Sequence, residues 1–129
     1  MNKSHTEYWL TIADNDMKVA RDLYKMGHWL YVAFMCHQVI EKTLKGYWEA
    51  IMDVDPPYTH SHQRLADGTG LTELMSEEQK RFISSIASMN IEARYPSYKA
   101  AISAELSKES CKSILERTEE LRQWIIEKL

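Results

Sequence analysis

Ala33-Phe34-Met35-Cys36-His37-Gln38-Val39-Ile40-Glu41-Lys42-Thr43-Leu44-Lys45-Gly46-Tyr47-Trp48 is the stretch that decides the fold. Around it, Leu30, Ala33, Phe34, Ile40, Leu44, Trp48 and Ile51 recur at the spacing of one helix face. The pattern predicts a helix from about His28 to Asp53, stopped by Asp55-Pro56-Pro57. Its first turns, Trp29 to Cys36, are apolar on every side. That predicts burial all round, with part of the cover supplied by another subunit. His37 and Glu41 fall on the apolar stripe, one turn apart. A carboxylate on a buried face is costly without a partner, so Glu41 is expected to be held there by something other than helix stability.

The flanking segments also read as helices. Ser4-His5-Thr6-Glu7 has the form of a capping box and opens a first helix. Its apolar stripe is Trp9, Ile12, Ala13, Val19, Ala20 and Leu23, with Gly27 at the C-terminal cap and Asp16 on the stripe between Ala13 and Ala20. Tyr58 to Leu74 is loop-like, with a short helix at Gln63 to Ala66 ended by Gly68-Thr69-Gly70. Ser76-Glu77-Glu78-Gln79 is a second capping box, starting a helix to about Ala93 with the stripe Phe82, Ile83, Ile86, Ala87 and Asn90. One more turn brings Arg94 onto that face, and Pro96 forbids much continuation. Ser107 caps a last helix with the stripe Cys111, Ile114, Leu115, Thr118, Leu121, Ile125 and Leu129. There is no alternating strand pattern and no internal repeat. The expected fold is all-α: one domain over residues 1–129, an up-and-down bundle of four main helices plus a short one.

The 129 residues suffice to bury a core without disulfide or metal. A formal charge of -3 argues against a surface that coats nucleic acid, while leaving room for a local basic site. Cys36 and Cys111 read as buried, reduced thiols of a cytoplasmic protein. Met1 to His5 lacks the apolar core of a signal peptide, and the longest apolar run, Trp29 to Cys36, is far short of a membrane span. Glycine-rich phosphate loops, zinc spacing and a nucleophile elbow are absent, so no cofactor is expected. His60-Ser61-His62 offers two potential ligands in a loop, too few for a metal site, and reads as a surface loop. His37 reads as a satisfied core histidine, and Trp9, Trp29, Trp48 and Trp124 as core or interface.

Asp16, Glu41 and Arg94 thus sit on core-facing stripes of three different helices. Two readings follow. One is a buried ion network that orients the bundle, with Arg94 and Lys42 as the cations. The other is a pocket with Arg94 at its mouth as a phosphate binder.

The pattern Ala13-x2-Asp16-Met17-x2-Ala20-x2-Leu23, then Gly27, then Ala33-Phe34-x2-His37-Gln38-x2-Glu41-Lys42-x-Leu44-Lys45 resembles the HEPN family (higher eukaryotes and prokaryotes nucleotide-binding). Thr59-His60 before a leucine-containing short segment and Ala93-Arg94-Tyr95-Pro96 follow in the family's order. The resemblance covers nearly the whole chain. It implies a helical bundle that forms a homodimer, a small prokaryotic protein often encoded beside a minimal nucleotidyltransferase in a toxin–antitoxin arrangement, and a nucleotide or RNA ligand. The candidate ligand-binding set is Arg94, Tyr95, Asp16, Glu41, Lys42 and Lys45, with Arg94 also the catalytic candidate.

Many members of that family are metal-independent RNases, using an arginine and a histidine four to six residues apart. Histidine can move a proton from the 2'-hydroxyl while arginine steadies the phosphate. This chain departs from that pattern. No histidine follows Arg94, the last in the chain being His62, and Arg21 and His28, six residues between them, lie in the wrong region. Tyr98 cannot serve as base near neutral pH without a large pKa shift. Three functions remain: a dimeric nucleotide- or phosphate-binding module that partners a nucleotidyltransferase, an RNase with a variant site borrowing His37, His60 or His62, and a purely structural helical dimer.

Overall fold

The computed structural model describes residues 3–91 and 94–129, with side chains from His5 onward. Their α-helices are α1 (Lys3–Met26), α2 (Trp29–Ile51), α3 (His62–Thr69), α4 (Leu71–Leu74), α5 (Glu77–Ile86), α6 (Pro96–Ala104) and α7 (Lys108–Ile126). A 3-10 turn, Ala87–Met89, follows α5. Among the described residues there is no strand, so the all-α expectation holds. No described helix is long and apolar enough to cross a membrane.

α1 and α2 form an antiparallel pair because only two residues join them. Gly27, at φ +78, takes the left-handed conformation that a side chain would strain. Its N–H donates to the Tyr24 carbonyl at 3.1 Å, and the His28 N–H donates to the Leu23 carbonyl at 3.0 Å, closing the helix end as expected. α2 is the central element and packs against α1, α7 and α3. Val32, Cys36, Ile40, Leu44 and Trp48 of α2 meet Leu65 of α3, Phe82, Ile83 and Ile86 of α5, and Leu121 and Ile125 of α7 in one core. A smaller cluster of Ala13, Met17 and Val39 seals α1 against α2.

Several expectations are corrected. α1 already includes Ser4, which therefore does not cap it. On α1 it is Met17 that is buried, while Val19 is 43% exposed. In α2 the stretch enclosed on all sides is its second half, from Cys36 to Glu49 apart from Lys42, not its first turns. Tyr31 is 48% exposed, and Leu30 and Phe34 are half-buried. Composition misled here because the enclosed half carries polar residues whose burial depends on pairing.

Gly68 lies inside α3 rather than ending it. A Cβ at Gly68 would fall 2.3 Å from the Trp48 ring, so the absent side chain lets α3 rest on that indole. Trp48 also donates from Nε1 to the Val54 carbonyl at 2.8 Å, tying down the loop after α2.

The helix from Ser76 ends at Ile86, not near Ala93, and Asn90 is extended. Ala93 and Glu92 lie outside the described residues. Pro96 opens α6, a helix not expected from the sequence. Proline suits a first helical turn, where its missing N–H has no partner to lose. The capping boxes at Ser76 and Ser107 both form.

Candidate functional site

Glu41 is completely buried on α2, and its partners come from two elements. Lys42 Nζ lies 2.9 Å and Lys45 Nζ 3.1 Å from Oε2. His60 Nδ1, from the loop before α3, lies 2.8 Å from Oε1. The two ammonium groups also lie over the Trp9 ring of α1, at 5.8 and 5.3 Å from its centroid. Burial pushes the Glu41 carboxyl up. The hydrogen bond and charge of Lys42, the bond from His60 and the charge of Lys45 together outweigh it, holding the carboxyl down at about 2. Glu41 is therefore ionised and acts only as an acceptor, so His60 Nδ1 carries the proton and donates it. In neutral His60 that leaves the lone pair on Nε2. The His60 side chain is 47% exposed and can meet a ligand.

Asp16 is half-buried in the same field. Burial raises its pKa, Lys42 pulls it down and Glu41 pushes it up. Lys42 is thus a partner of the buried acid, as expected, whereas Arg94 is not. Arg94 is exposed and outside any helix. Its Nε donates to the Asn90 carbonyl at 3.4 Å, and its guanidinium lies 4.9 Å from the Tyr98 ring centroid. Tyr98 donates its hydroxyl proton to the Ser88 carbonyl at 2.8 Å, fastening α6 to the 3-10 turn. Among the described residues Arg94 has no carboxylate partner. The expectation that it faces the core is overturned because α5 stops short, so the helical period no longer dictates where residue 94 points.

Tyr95 is 82% exposed, at the cap of α6. The cavity that Arg94 lines includes neither Tyr95 nor Asp16, Lys42 or Lys45. The expected ligand set therefore divides into a buried cluster around Glu41 and the separate Arg94–Tyr95 segment.

What joins Arg94 to α2 is histidine. A cavity of about 500 Å³ is lined by His37, His60, His62, Asn90 and Arg94. His62 donates from Nε2 to the His37 carbonyl at 2.9 Å, and the two rings stand 4.0 Å apart, tilted by 36°. Burial pushes the His37 imidazole down to about 3, helped by the nearby His62. Burial likewise pushes His62 down to about 4, against the opposing effects of its bond to His37 and the charge of Glu41. Both rings are neutral near pH 7. Among the described residues, Nδ1 of each and the side-chain oxygen of Asn90 have no hydrogen-bond partner within the chain.

The reading of His60-Ser61-His62 as a plain surface loop is thus corrected for His62, while His60 does lie exposed on that loop but is not free there. His62 is buried under the cavity, and His60 is bound to Glu41. The order of residues along the chain, with no histidine after Arg94, did not show which histidines stand near it in space. Asn90 was absorbed into an apolar stripe, although an asparagine in that register was itself a signal. Chemically, a histidine fixed through one nitrogen can hold or move a proton at the other, and a guanidinium that pairs with no carboxylate can clasp phosphate oxygens.

The family model for the HEPN domain matches residues 6–129. The fold is similar to that of TT1696 from Thermus thermophilus, at a TM-score of 0.79 and 20% identity over 100% of both chains. It is also similar to ST0689, described as an archaeal HEPN homologue, at a TM-score of 0.64 and 15% identity over 99% of this chain and 98% of that one. At such identities the likeness is one of fold. No curated protein matches the chain.

Proposed function

The chain belongs to the HEPN family, and from that premise we propose that it is a dimeric binding module whose Arg94–histidine cavity holds a phosphate-bearing ligand, a nucleotide or an RNA end. The observation that carries this reading is the meeting of Arg94 with His37, His60 and His62 around one cavity. Arg94 supplies a guanidinium that no described carboxylate neutralises, suited to bidentate contact with phosphate oxygens. The neutral His37 and His62 form a floor that adds no charge of its own. Glu41, Lys42 and Lys45 set the position of His60, and Asp16 tunes the field from α1. A nucleotidyltransferase partner in a cytoplasmic toxin–antitoxin pair fits the same reading. No metal or other cofactor is needed for it.

A second reading has one observation in its favour. His60 donates from Nδ1 to a buried carboxylate, the arrangement that orients a general base. With Arg94 across the cavity, the pair could cleave RNA without metal.

Titration calorimetry with AMP and with a short 5'-phosphorylated RNA tests the first reading, and gel analysis of a labelled RNA in EDTA tests the second. Arg94→Ala should weaken binding at least tenfold while leaving the melting temperature within a few degrees, because the residue is exposed. Wild-type protein that binds neither probe would remove the binding reading. Cleavage abolished by both Arg94→Ala and His60→Ala would hand the case to the RNase reading. An Arg94→Ala protein that does not fold would make this arginine a structural strut.

A further inference from the structure

A second face of the bundle carries a groove that the proposed site does not use. It lies between α1 and α7 and encloses about 590 Å³. Met17, Leu115 and Trp124 give it an apolar floor, and Glu116, Glu120 and Glu127 stand on its rim. These three carboxylates have no cationic partner among the described residues. The cations close by are occupied: Arg21 pairs with Glu119 at 3.5 Å, and Lys128 covers the Trp124 ring at 4.4 Å from its centroid. On the other side of α7 a further cavity of about 470 Å³ shares Glu120 and Trp124, so the apolar surface continues across that helix. The α1–α7 groove shares no residue with the Arg94 cavity.

We propose that the α1–α7 groove docks a basic amphipathic helix of a partner protein. The apolar floor calls for an apolar stripe, and the unpaired rim carboxylates, all contributed by α7, call for lysine or arginine along the edge that faces that helix. An anionic ligand is repelled by the same carboxylates. From Leu115 to Glu127 the groove runs roughly 18 Å at the helical rise, the length of three to four turns. The docked segment is therefore a helix of about that length, with leucine-like residues every three or four positions.

The probe is a synthetic 14-residue Leu/Lys amphipathic peptide carrying a fluorophore, titrated with the full chain and followed by anisotropy. A Leu/Glu twin and a Ser/Lys twin serve as controls. The Leu/Lys peptide should bind at least tenfold more tightly than either twin. Glu116→Lys/Glu120→Lys should weaken it at least tenfold, whereas Glu105→Lys/Glu109→Lys, outside the groove, should leave it within twofold. Glu127→Lys provides an independent single variant should the double variant lose its helical circular dichroism. Equal binding of the Leu/Glu twin, or equal loss from the two charge reversals, overturns the proposal. So does a change in sedimentation mass of the Glu116→Lys/Glu120→Lys protein alone, because the groove would then be covered by a second copy.

Discussion

Glu41 is a residue whose partners define it. Removing its charge in Glu41→Gln leaves the buried Lys45 without its carboxylate and Lys42 with only the half-buried Asp16 near it, and breaking a buried pair in this way costs about 3–5 kcal/mol. Urea denaturation should show a loss of that order, and His60 should lose its fixed orientation with it. Titration adds a second residue-level expectation. His37 and His62 are held below the ordinary histidine range, at about 3 and about 4, by burial. Their unfolded forms take up protons near the usual value of about 6.5. The unfolded state thus binds more protons below that pH, so the stability these groups allow is fully present above about 6.5 and declines as pH falls toward 4. Glu41 acts in the same direction lower down, its contribution present above about 4.5 and lost as pH falls through about 2. The melting temperature should drop by several degrees between pH 7 and 4.5, and His62→Gln should flatten that slope. A flat profile in wild type would mean that the two rings are not buried as neutral groups. Glu41 was legible in the sequence as an acid out of place, and Lys42 as its partner. His60 was not, because a loop residue 19 positions away has no periodicity to reveal it.

Elements show where local rules suffice. The serine caps at Ser76 and Ser107 and the Gly27 turn follow from a few neighbouring atoms, and these three formed where the sequence placed them, whereas the box expected at Ser4 did not. The end of α5 and the start of α6 depend on what the chain meets in space, and there the helical period overran. Gly68 was read as a breaker when its role is contact. Gly68→Ala places a methyl within 2.3 Å of the Trp48 ring. Overpacking of this kind costs about 1–3 kcal/mol, partly offset by the roughly 1 kcal/mol that alanine gains over glycine inside a helix. A net loss of up to about 2 kcal/mol in urea midpoint measurements is expected, together with a perturbed Trp48 fluorescence. A stabilised variant would mean that α3 can shift away from the indole at little cost.

At the scale of the whole molecule, the half-open first turns of α2 argue for a second subunit. Leu30, Tyr31 and Phe34 share one helix face and are covered only in part by the chain itself. Sedimentation equilibrium at micromolar concentration should give the dimer mass, and Tyr31→Glu/Phe34→Glu should give the monomer with its helical circular dichroism intact. A wild-type monomer would remove this argument.

The two-residue joint at Gly27-His28 also bears on how fast the molecule is made. It lets the two longest helices meet across the shortest possible detour of chain, so the α1–α2 hairpin can close before any distant segment arrives. Contacts near in sequence cost little loop entropy and favour rapid folding. In stopped-flow experiments Gly27→Ala should therefore act mainly on the refolding limb, slowing it while the unfolding limb stays nearly unchanged.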